Sequence, residues 1–337
     1  MSEKKKIPYT ANNALLSLSE EIEHVANNVS QSVVSVYSRN RGNGSGVIWN
    51  VDGHIVTCSH IVGEQDEVEV SLSNGRSYPA KVVGNDPYSD IALLKIEAAN
   101  DKDNSIIIPL KPIEIADSEN LKAGQFVLAL ANPYGEYPSI TEGIITSERR
   151  SIRGIGRAGS GWRWAAAAAA ADVMDNIVIT DARLNPGYSG GPLVNIEGKM
   201  IGLNIAYISS RGIAIRTSKV KTISEQLAKD GEIKIARLGI VTAGISLPSE
   251  VAAQLQPMQE EGLIVLSVKK ETAAKKAGLL IGDIIVRFDD QPITNLHDLR
   301  KQLLKRDAIG KSAKLTIIRA EKKMELVIVP EEEEIGR

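Results

Sequence analysis

Within these 337 residues, the side chains whose types and spacing bear on chemistry fall in three short segments. In Gly187-Tyr188-Ser189-Gly190-Gly191-Pro192 three glycines flank one serine, and such a run permits a tight backbone with positive φ. A turn of that kind lifts the Ser189 hydroxyl out of the chain. It also aims the N–H groups of Gly187 and Ser189, with Tyr188 between them, at one point where an oxyanion would sit. One such donor contributes roughly 3–4 kcal/mol in acyl-transfer sites. A serine nucleophile needs a base, and the base needs a partner that orients it. Only four histidines are available. His24 and His297 fall in helical patterns and His54 starts a strand, and all three read as surface positions. His60, in Thr57-Cys58-Ser59-His60-Ile61-Val62, ends that strand, a rigid place from which to project an imidazole. Asp90 directly precedes the apolar run Ile91–Ile96, where a half-buried carboxylate must find a donor. The N–H of His60 would serve. Read singly, each has a plain structural alternative: a β-turn serine, a lone histidine, a capping aspartate.

The scaffold that must position these residues is patterned as short strands. Ser32–Tyr37, Ser45–Trp49, His54–Thr57, Glu67–Leu72, Ser77–Val83 and Ile91–Ile96 make one set. Phe126–Ala129, Ser139–Thr146, Ile177–Asp181, Leu193–Asn195, Lys199–Ala206 and Gly212–Ile215 make a second. Asn74-Gly75 between two of the runs is a hairpin signal. Many short strands with glycine-rich turns predict an all-β fold, here two six-stranded β-barrels side by side. No internal repeat is visible between the halves. A helix is expected over 17–29, with Ser17 capping, Glu20 three positions on, and Ile22, Val25, Ala26 and Val29 at helical spacing. A second, over 219–230, carries Val220, Ile223 and Leu227 on one face. From Leu238 the pattern is mixed, with strands at 238–244, 262–268, 283–288, 314–320 and 324–329 and a helix at Leu296–Leu304. The expected division is therefore an N-terminal segment and helix (1–30), a two-barrel domain (31–230), a small α+β domain (231–330) and an acidic tail (331–337).

Composition narrows the class. Charged residues make up 24% and apolar ones 43%, and the net charge is −2 with both signs interspersed. That leaves no broad basic face for nucleic acid. One cysteine, Cys58, excludes an internal disulfide. No run approaches the roughly 20 apolar residues that span a bilayer, and no apolar segment follows Lys4–Lys6 as a signal peptide would. With Met1 as the native start the protein would be cytoplasmic; with a targeting segment removed it would belong to the cell envelope or periplasm. The seven alanines at 165–171 support no functional reading.

Taken in order, Gly44-Ser45-Gly46-Val47-Ile48, the His60 segment, Ser89-Asp90-Ile91-Ala92-Leu93-Leu94, Ala131-Asn132-Pro133-Tyr134-Gly135, Thr180-Asp181-Ala182 and Asn185-Pro186-Gly187-Tyr188-Ser189-Gly190-Gly191 resemble the HtrA family of serine proteases. The likeness runs from about residue 20 to 330, and the order His, Asp, Ser is that of chymotrypsin-like enzymes. The resemblance implies ATP-independent endoproteolysis of unfolded or damaged proteins, with Ser189 as nucleophile, His60 as base and Asp90 orienting it. It implies a specificity pocket lined by Leu184, Asn204-Ile205-Ala206 and Ile213, suited to small or medium aliphatic residues. It further implies a homotrimer with the segment near Tyr9 as a contact. No cofactor or metal is implied. Three departures stand out: Tyr188 where the family usually has Asn, Arg183 where a small residue is common, and the polyalanine where a regulatory loop belongs.

In the C-terminal domain, Arg237-Leu238-Gly239-Ile240 resembles the carboxylate-binding loop of PDZ domains, and Gly278-Leu279-Leu280-Ile281-Gly282-Asp283-Ile284-Ile285 their turn-and-strand signature. Backbone N–H groups there would capture a peptide C-terminus, and the peptide would add as a strand against 240–244. Leu296, Leu299 and Leu303 share one helix face, which meets either that groove or the sheet. The alternative reading is a non-catalytic chaperone or peptide-binding scaffold that keeps the protease fold.

Overall fold

In the computed structural model, residues 13–39, 41–87, 89–96, 110–135, 138–147, 176–208, 210–231, 236–303 and 308–332 are described. The polyalanine, Tyr9 and the last residues of the acidic tail lie outside them. The described residues form two compact units, one running to Gly231 and the other from Ala236 onward.

The first unit holds twelve strands in two closed barrels. The first barrel comprises β1 (Val33–Ser38), β2 (Gly42–Ile48), β3 (His54–Thr57), β4 (Glu67–Ser71), β5 (Ser77–Asp86) and β6 (Ile91–Ile96), in the circular order β1-β2-β3-β6-β5-β4. The second comprises β7 (Phe126–Ala131), β8 (Ser139–Ser147), β9 (Ile177–Thr180), β10 (Pro192–Asn195), β11 (Met200–Ile208) and β12 (Arg211–Arg216), closed as β10-β11-β12-β9-β8-β7. Read around the ring, the two orders are the same. The two halves therefore repeat in topology although no repeat is visible in the residues. Closure leaves neither barrel an open edge, which spares six-stranded sheets of this kind from edge-to-edge pairing.

Alternation explains the strands. In β4, Val68 and Val70 point inward and Glu67 and Glu69 outward, while β6 is apolar on both faces because it is covered on both. The expected strands at His54–Thr57 and Ile91–Ile96 have those same bounds in the structure. Helix α1 (Asn13–Ser30) begins four residues before the expected cap Ser17, which lies inside it. It buries Val25, Ala26 and Val29 and packs on β7. Between them α2 (Ser59–Val62) is a single turn, and α3 (Thr217–Asp230) buries Val220, Ile223 and Leu227 against strands of both barrels.

The second unit is a sheet ordered β14 (Ile240–Ser246), β15 (Glu261–Val268), β16 (Ile284–Phe288), β18 (Ala313–Arg319) and β19 (Lys322–Ile328), with β17 (Gln291–Pro292) beside β16. A separate pair joins β13 (Ala236–Arg237) to β20 (Glu331–Glu332). Helices α4 (Ser249–Ala252), α5 (Ala273–Lys276) and α6 (Leu296–Leu303) complete it. The core gathers Leu238, Leu263, Val265, Leu279, Ile285, Leu299 and Leu315, among others. Among the described residues, no helix is long and apolar enough to cross a membrane.

Candidate active site

The chemistry gathers where the two barrels meet. His60 is not at the strand end, as expected, but on α2: β3 stops at Thr57, Cys58 stays extended and Ser59 begins a helical turn. The turn serves a purpose. It brings two donors of one residue onto one carboxylate, the His60 N–H at 2.9 Å from Asp90 Oδ1 and Nδ1 at 2.7 Å from Oδ2. The Ser59 N–H donates to the Asp90 carbonyl at 3.1 Å, so the aspartate is held from both its backbone and its side chain. Asp90 is 7% exposed and sits at φ +57°, a left-handed conformation that aspartate and asparagine tolerate better than other non-glycine residues. With Oδ1 and Oδ2 filled by His60, Nδ1 must carry its proton, which leaves Nε2 free to accept one. The His60 side chain is 40% exposed, open to solvent on its outer edge.

Ser189 comes from the second barrel. Its turn is closed by Tyr188 N–H to Asn185 O at 3.1 Å and Gly191 N–H to Tyr188 O at 3.0 Å. Gly187 has φ +92° and a Cβ there would lie 2.4 Å from Pro133 Cβ; Gly190 has φ +81° and a Cβ would lie 2.0 Å from the Ser45 carbonyl. Only glycine fits at either position. The N–H groups of Gly187 and Ser189 make no hydrogen bond among the described residues. They are the two groups the sequence singles out as oxyanion donors. Tyr188, counted there with the hole, spends its N–H on the turn and turns its side chain inward, where it is 2% exposed. Burial pushes its phenol pKa up, and a hydrogen bond from Thr141 partly offsets this. The Ser189 hydroxyl donates to the Ile205 carbonyl at 3.1 Å, its resting partner.

Ser45 has a role that the sequence reading does not assign, although in Gly44-Ser45-Gly46 two glycines leave room for a close approach. Its Oγ donates to Gly187 O at 2.7 Å and accepts from Asn132 N–H at 2.9 Å, while its N–H donates to Ser189 O at 2.9 Å. Thr57 Oγ1 in turn holds the Ser45 carbonyl at 2.7 Å. One side chain of the first barrel thus fixes the direction of the Gly187 carbonyl, and with it the opposite N–H.

Of the pocket residues expected from the sequence, Asn204 and Ile213 are fully buried and Leu184 is 7% exposed within the second barrel's core. Asn204 is structural. Its Nδ2 donates to Pro192 O at 3.0 Å and its carbonyl receives the Gly190 N–H at 2.8 Å and the Cys58 thiol at 3.4 Å. Ile205 is buried as well, at 3% exposure, so of the expected set Ala206 alone is half-buried. Tyr134, 77% exposed on the Pro133 loop, lies outside the expected set. Cys58, His60 and Asp90 have ligand-type atoms within 4.8 Å of one another. Their bonds are those of a proton-transfer pair with a buried thiol beside it, and burial, then Asp90, pushes the Cys58 thiol pKa well up.

In the second unit, Arg237 is not in a loop: it pairs with Glu331 in β13. Leu238 is 2% exposed and anchors the core, and the N–H groups of Leu238 and Gly239 have no partner among the described residues. Ile240 opens β14, which pairs with β15 on one side only. Leu299 points into the core at 2% exposure rather than into a groove, because the sheet face beneath α6 claims it; Leu296, 37% exposed, stays near the surface.

Comparison with known proteins converges on this arrangement. Residues 44–203 match the family model described as a trypsin-like peptidase domain, and residues 242–329 that described as a PDZ domain. A probable serine protease do-like of Buchnera aphidicola is 36% identical over 270 residues, 78% of this chain and 51% of that protein. The periplasmic serine endoprotease DegP of Escherichia coli K12 is 36% identical over 267 residues, 77% of this chain and 51% of that protein. The chain thus spans about half the length of these relatives. The crystal structure of a serine endoprotease from Yersinia pestis aligns with TM-score 0.70 at 26% identity, covering 98% of this chain and all of that one. The HtrA-type protease AlgW with a tripeptide aligns with TM-score 0.70 at 26% identity, covering 93% of this chain and 98% of that one.

Proposed function

From the premise that this chain belongs to the HtrA family of trypsin-like peptidases with a PDZ domain, we propose that it is a serine endopeptidase acting without ATP on unfolded or damaged proteins. Ser189 attacks the scissile carbonyl as His60 Nε2 takes its proton; Asp90 keeps the imidazole in the Nδ1–H tautomer and stabilises the imidazolium. The Gly187 and Ser189 N–H groups receive the oxyanion, and His60 then protonates the leaving amine. Water hydrolyses the acyl-enzyme by the same steps in reverse. The observation that carries the reading is the conjunction of the doubly bonded His60–Asp90 pair with a serine turn whose two N–H groups are unpaired.

Peptide specificity toward small or medium aliphatic residues is supported by half-buried Ala206, a small apolar residue that directly follows the Ile205 carbonyl holding the Ser189 hydroxyl. Capture of peptide C-termini by the second unit is supported by the free Leu238 and Gly239 N–H groups beside the open side of β14. A homotrimer rests on the family and on exposed Leu15, Leu16 and Leu18 of α1, apolar surface suited to a contact between copies. The deciding experiment is a fluorophosphonate probe with casein as substrate. Ser189 is labelled, and Ser189→Ala abolishes both labelling and cleavage. A wild-type protein that neither labels nor cleaves would sink the reading; sedimentation as a monomer at micromolar concentration would remove the trimer.

A further inference from the structure

The peptide groups of the serine turn can be followed one by one to their partners. The Gly187 carbonyl accepts from Ser45 Oγ at 2.7 Å, and the N–H across that peptide, of Tyr188, donates to Asn185 O at 3.1 Å. The Tyr188 carbonyl takes the Gly191 N–H at 3.0 Å. The Ser189 carbonyl takes the Ser45 N–H at 2.9 Å, and the Gly190 N–H opposite goes to Asn204 O at 2.8 Å. Three consecutive carbonyls are thus held, and Ser45 holds two of the three. What remains without a partner among the described residues is the pair of oxyanion donors, the Gly187 and Ser189 N–H groups.

The Ser45 hydroxyl has two tasks. Its proton goes to Gly187 O, and its lone pair takes the Asn132 N–H at 2.9 Å. Asn132 precedes Pro133, on which Gly187 is packed so closely that a Cβ would lie 2.4 Å from Pro133 Cβ. The Gly187 carbonyl and the loop that backs it therefore share one anchor. Glycine needs such an anchor, because without a side chain it takes φ of either sign and its surroundings decide where its N–H points. Ser45 is itself held. Its carbonyl accepts from Thr57 Oγ1 at 2.7 Å, and Thr57 ends β3, three residues before His60. The bonds run from the strand that leads to the base, through one serine, to the carbonyls on either side of Tyr188.

We propose that Ser45, steadied by Thr57, is a positioning residue that sets the fraction of molecules in which both oxyanion donors face the cleft; this rests on the endopeptidase reading above. Ser45 touches no reacting atom. With its hydroxyl removed, the Gly187 carbonyl loses its partner, the glycine gains freedom to rotate, and the hole exists in a smaller share of molecules. The oxyanion develops only on the way to the tetrahedral intermediate, so the loss falls on turnover rather than on ground-state binding.

The test uses the full chain and a chromogenic peptide substrate with an aliphatic residue before the cut. In Ser45→Ala, kcat falls about tenfold, the factor that one hydrogen bond of ordinary strength supplies. KM stays within about twofold, and a peptide boronate, whose adduct occupies the hole, binds more weakly in proportion to kcat. Thr57→Val loses about threefold in kcat, and Thr57→Ser, which keeps the hydroxyl, retains activity. Folding is followed by thermal unfolding. A purely structural role would also lower the unfolding temperature of Ser45→Ala, so the split between kcat and KM discriminates. Unchanged kcat in a folded Ser45→Ala overturns the proposal, as does a loss carried by KM or a boronate bound as tightly as by the wild type. Equal activity of Thr57→Val and Thr57→Ser overturns the path from β3, and if Ser45→Ala does not fold, this pair alone decides. A wild-type protein without turnover counts against the endopeptidase reading, and the proposal falls with it; normal wild-type turnover with an indifferent Ser45→Ala counts against the positioning role alone.

Discussion

Replacing Asp90 by asparagine isolates the electrostatic part of the site. The substitution is nearly isosteric, and asparagine is among the few residues at ease at φ +57°, so the backbone that carries Asp90 is kept. What changes is the acceptor count. Asp90 accepts the His60 N–H on Oδ1 at 2.9 Å and Nδ1 on Oδ2 at 2.7 Å. Asparagine has one acceptor oxygen. If that oxygen stays on the His60 N–H, its amide donates to Nδ1 and drives the ring to the opposite tautomer, with a proton on the nitrogen that must accept from Ser189. In triads of this kind such a change costs about 10⁴ in kcat, or about 5.4 kcal/mol. Stability should change little, since shape and backbone bonds are kept. Asp90→Ala keeps the Cβ but loses the side-chain hydrogen bonds that offset the cost of positive φ, about 1–2 kcal/mol, and so confounds the two effects. The assay is steady-state hydrolysis at pH 7 beside thermal unfolding, with Ser189→Ala as the floor. If folded Asp90→Asn keeps more than about a tenth of wild-type kcat while Ser189→Ala is inactive, His60 does not depend on Asp90 as argued.

Three further outcomes are expected. Gly187→Ala should fold but lose about 10²–10³ in kcat, because a Cβ meeting Pro133 forces the donor out of place; peptide hydrolysis at wild-type rates would contradict the assignment of the hole. Gly190→Ala meets backbone, the Ser45 carbonyl, and should cost about 3 kcal/mol or more, lowering the unfolding temperature by about 6–12 °C in a domain of this size; calorimetry showing no shift would refute it. Cys58 should resist iodoacetamide at pH 8 in the native protein and react once urea unfolds the chain, since burial and Asp90 hold its thiol protonated; native modification seen by mass spectrometry at the rate of a free thiol would show the site is open.

How far the residues alone reveal this design varies with the range of the interaction. β3 and β6 are legible because alternation and flanking turns are local, and His60, Asp90 and Ser189 are legible through their flanking motifs. The helical turn that carries His60 is not, since four residues, Ser59–Val62, are too short for a periodic signal. The inward course of Tyr188 and the sealing of Asn204 and Leu299 are equally hidden. Each depends on which neighbour arrives from a distant strand, and a half-apolar side chain suits surface and core alike. The shared strand order of the two barrels leaves no trace in the residues, because topology constrains hydrogen-bonded pairing and asks of the side chains only that they alternate.

The site's parts are divided between barrels: His60 and Asp90 belong to the first, Ser189 and Gly187 to the second. Ser45 N–H to Ser189 O, Ser45 Oγ to Gly187 O, Cys58 to Asn204 O and Asn43 Nδ2 to Pro133 O at 2.9 Å are rivets across that seam. In the proposed function, hydrolysis would work as a gauge of alignment between two self-contained rings. A slip of about an ångström at the seam, too small to disturb either ring's hydrogen bonds, is enough to uncouple base from nucleophile. On heating, the protein should fall silent while its strands are still intact.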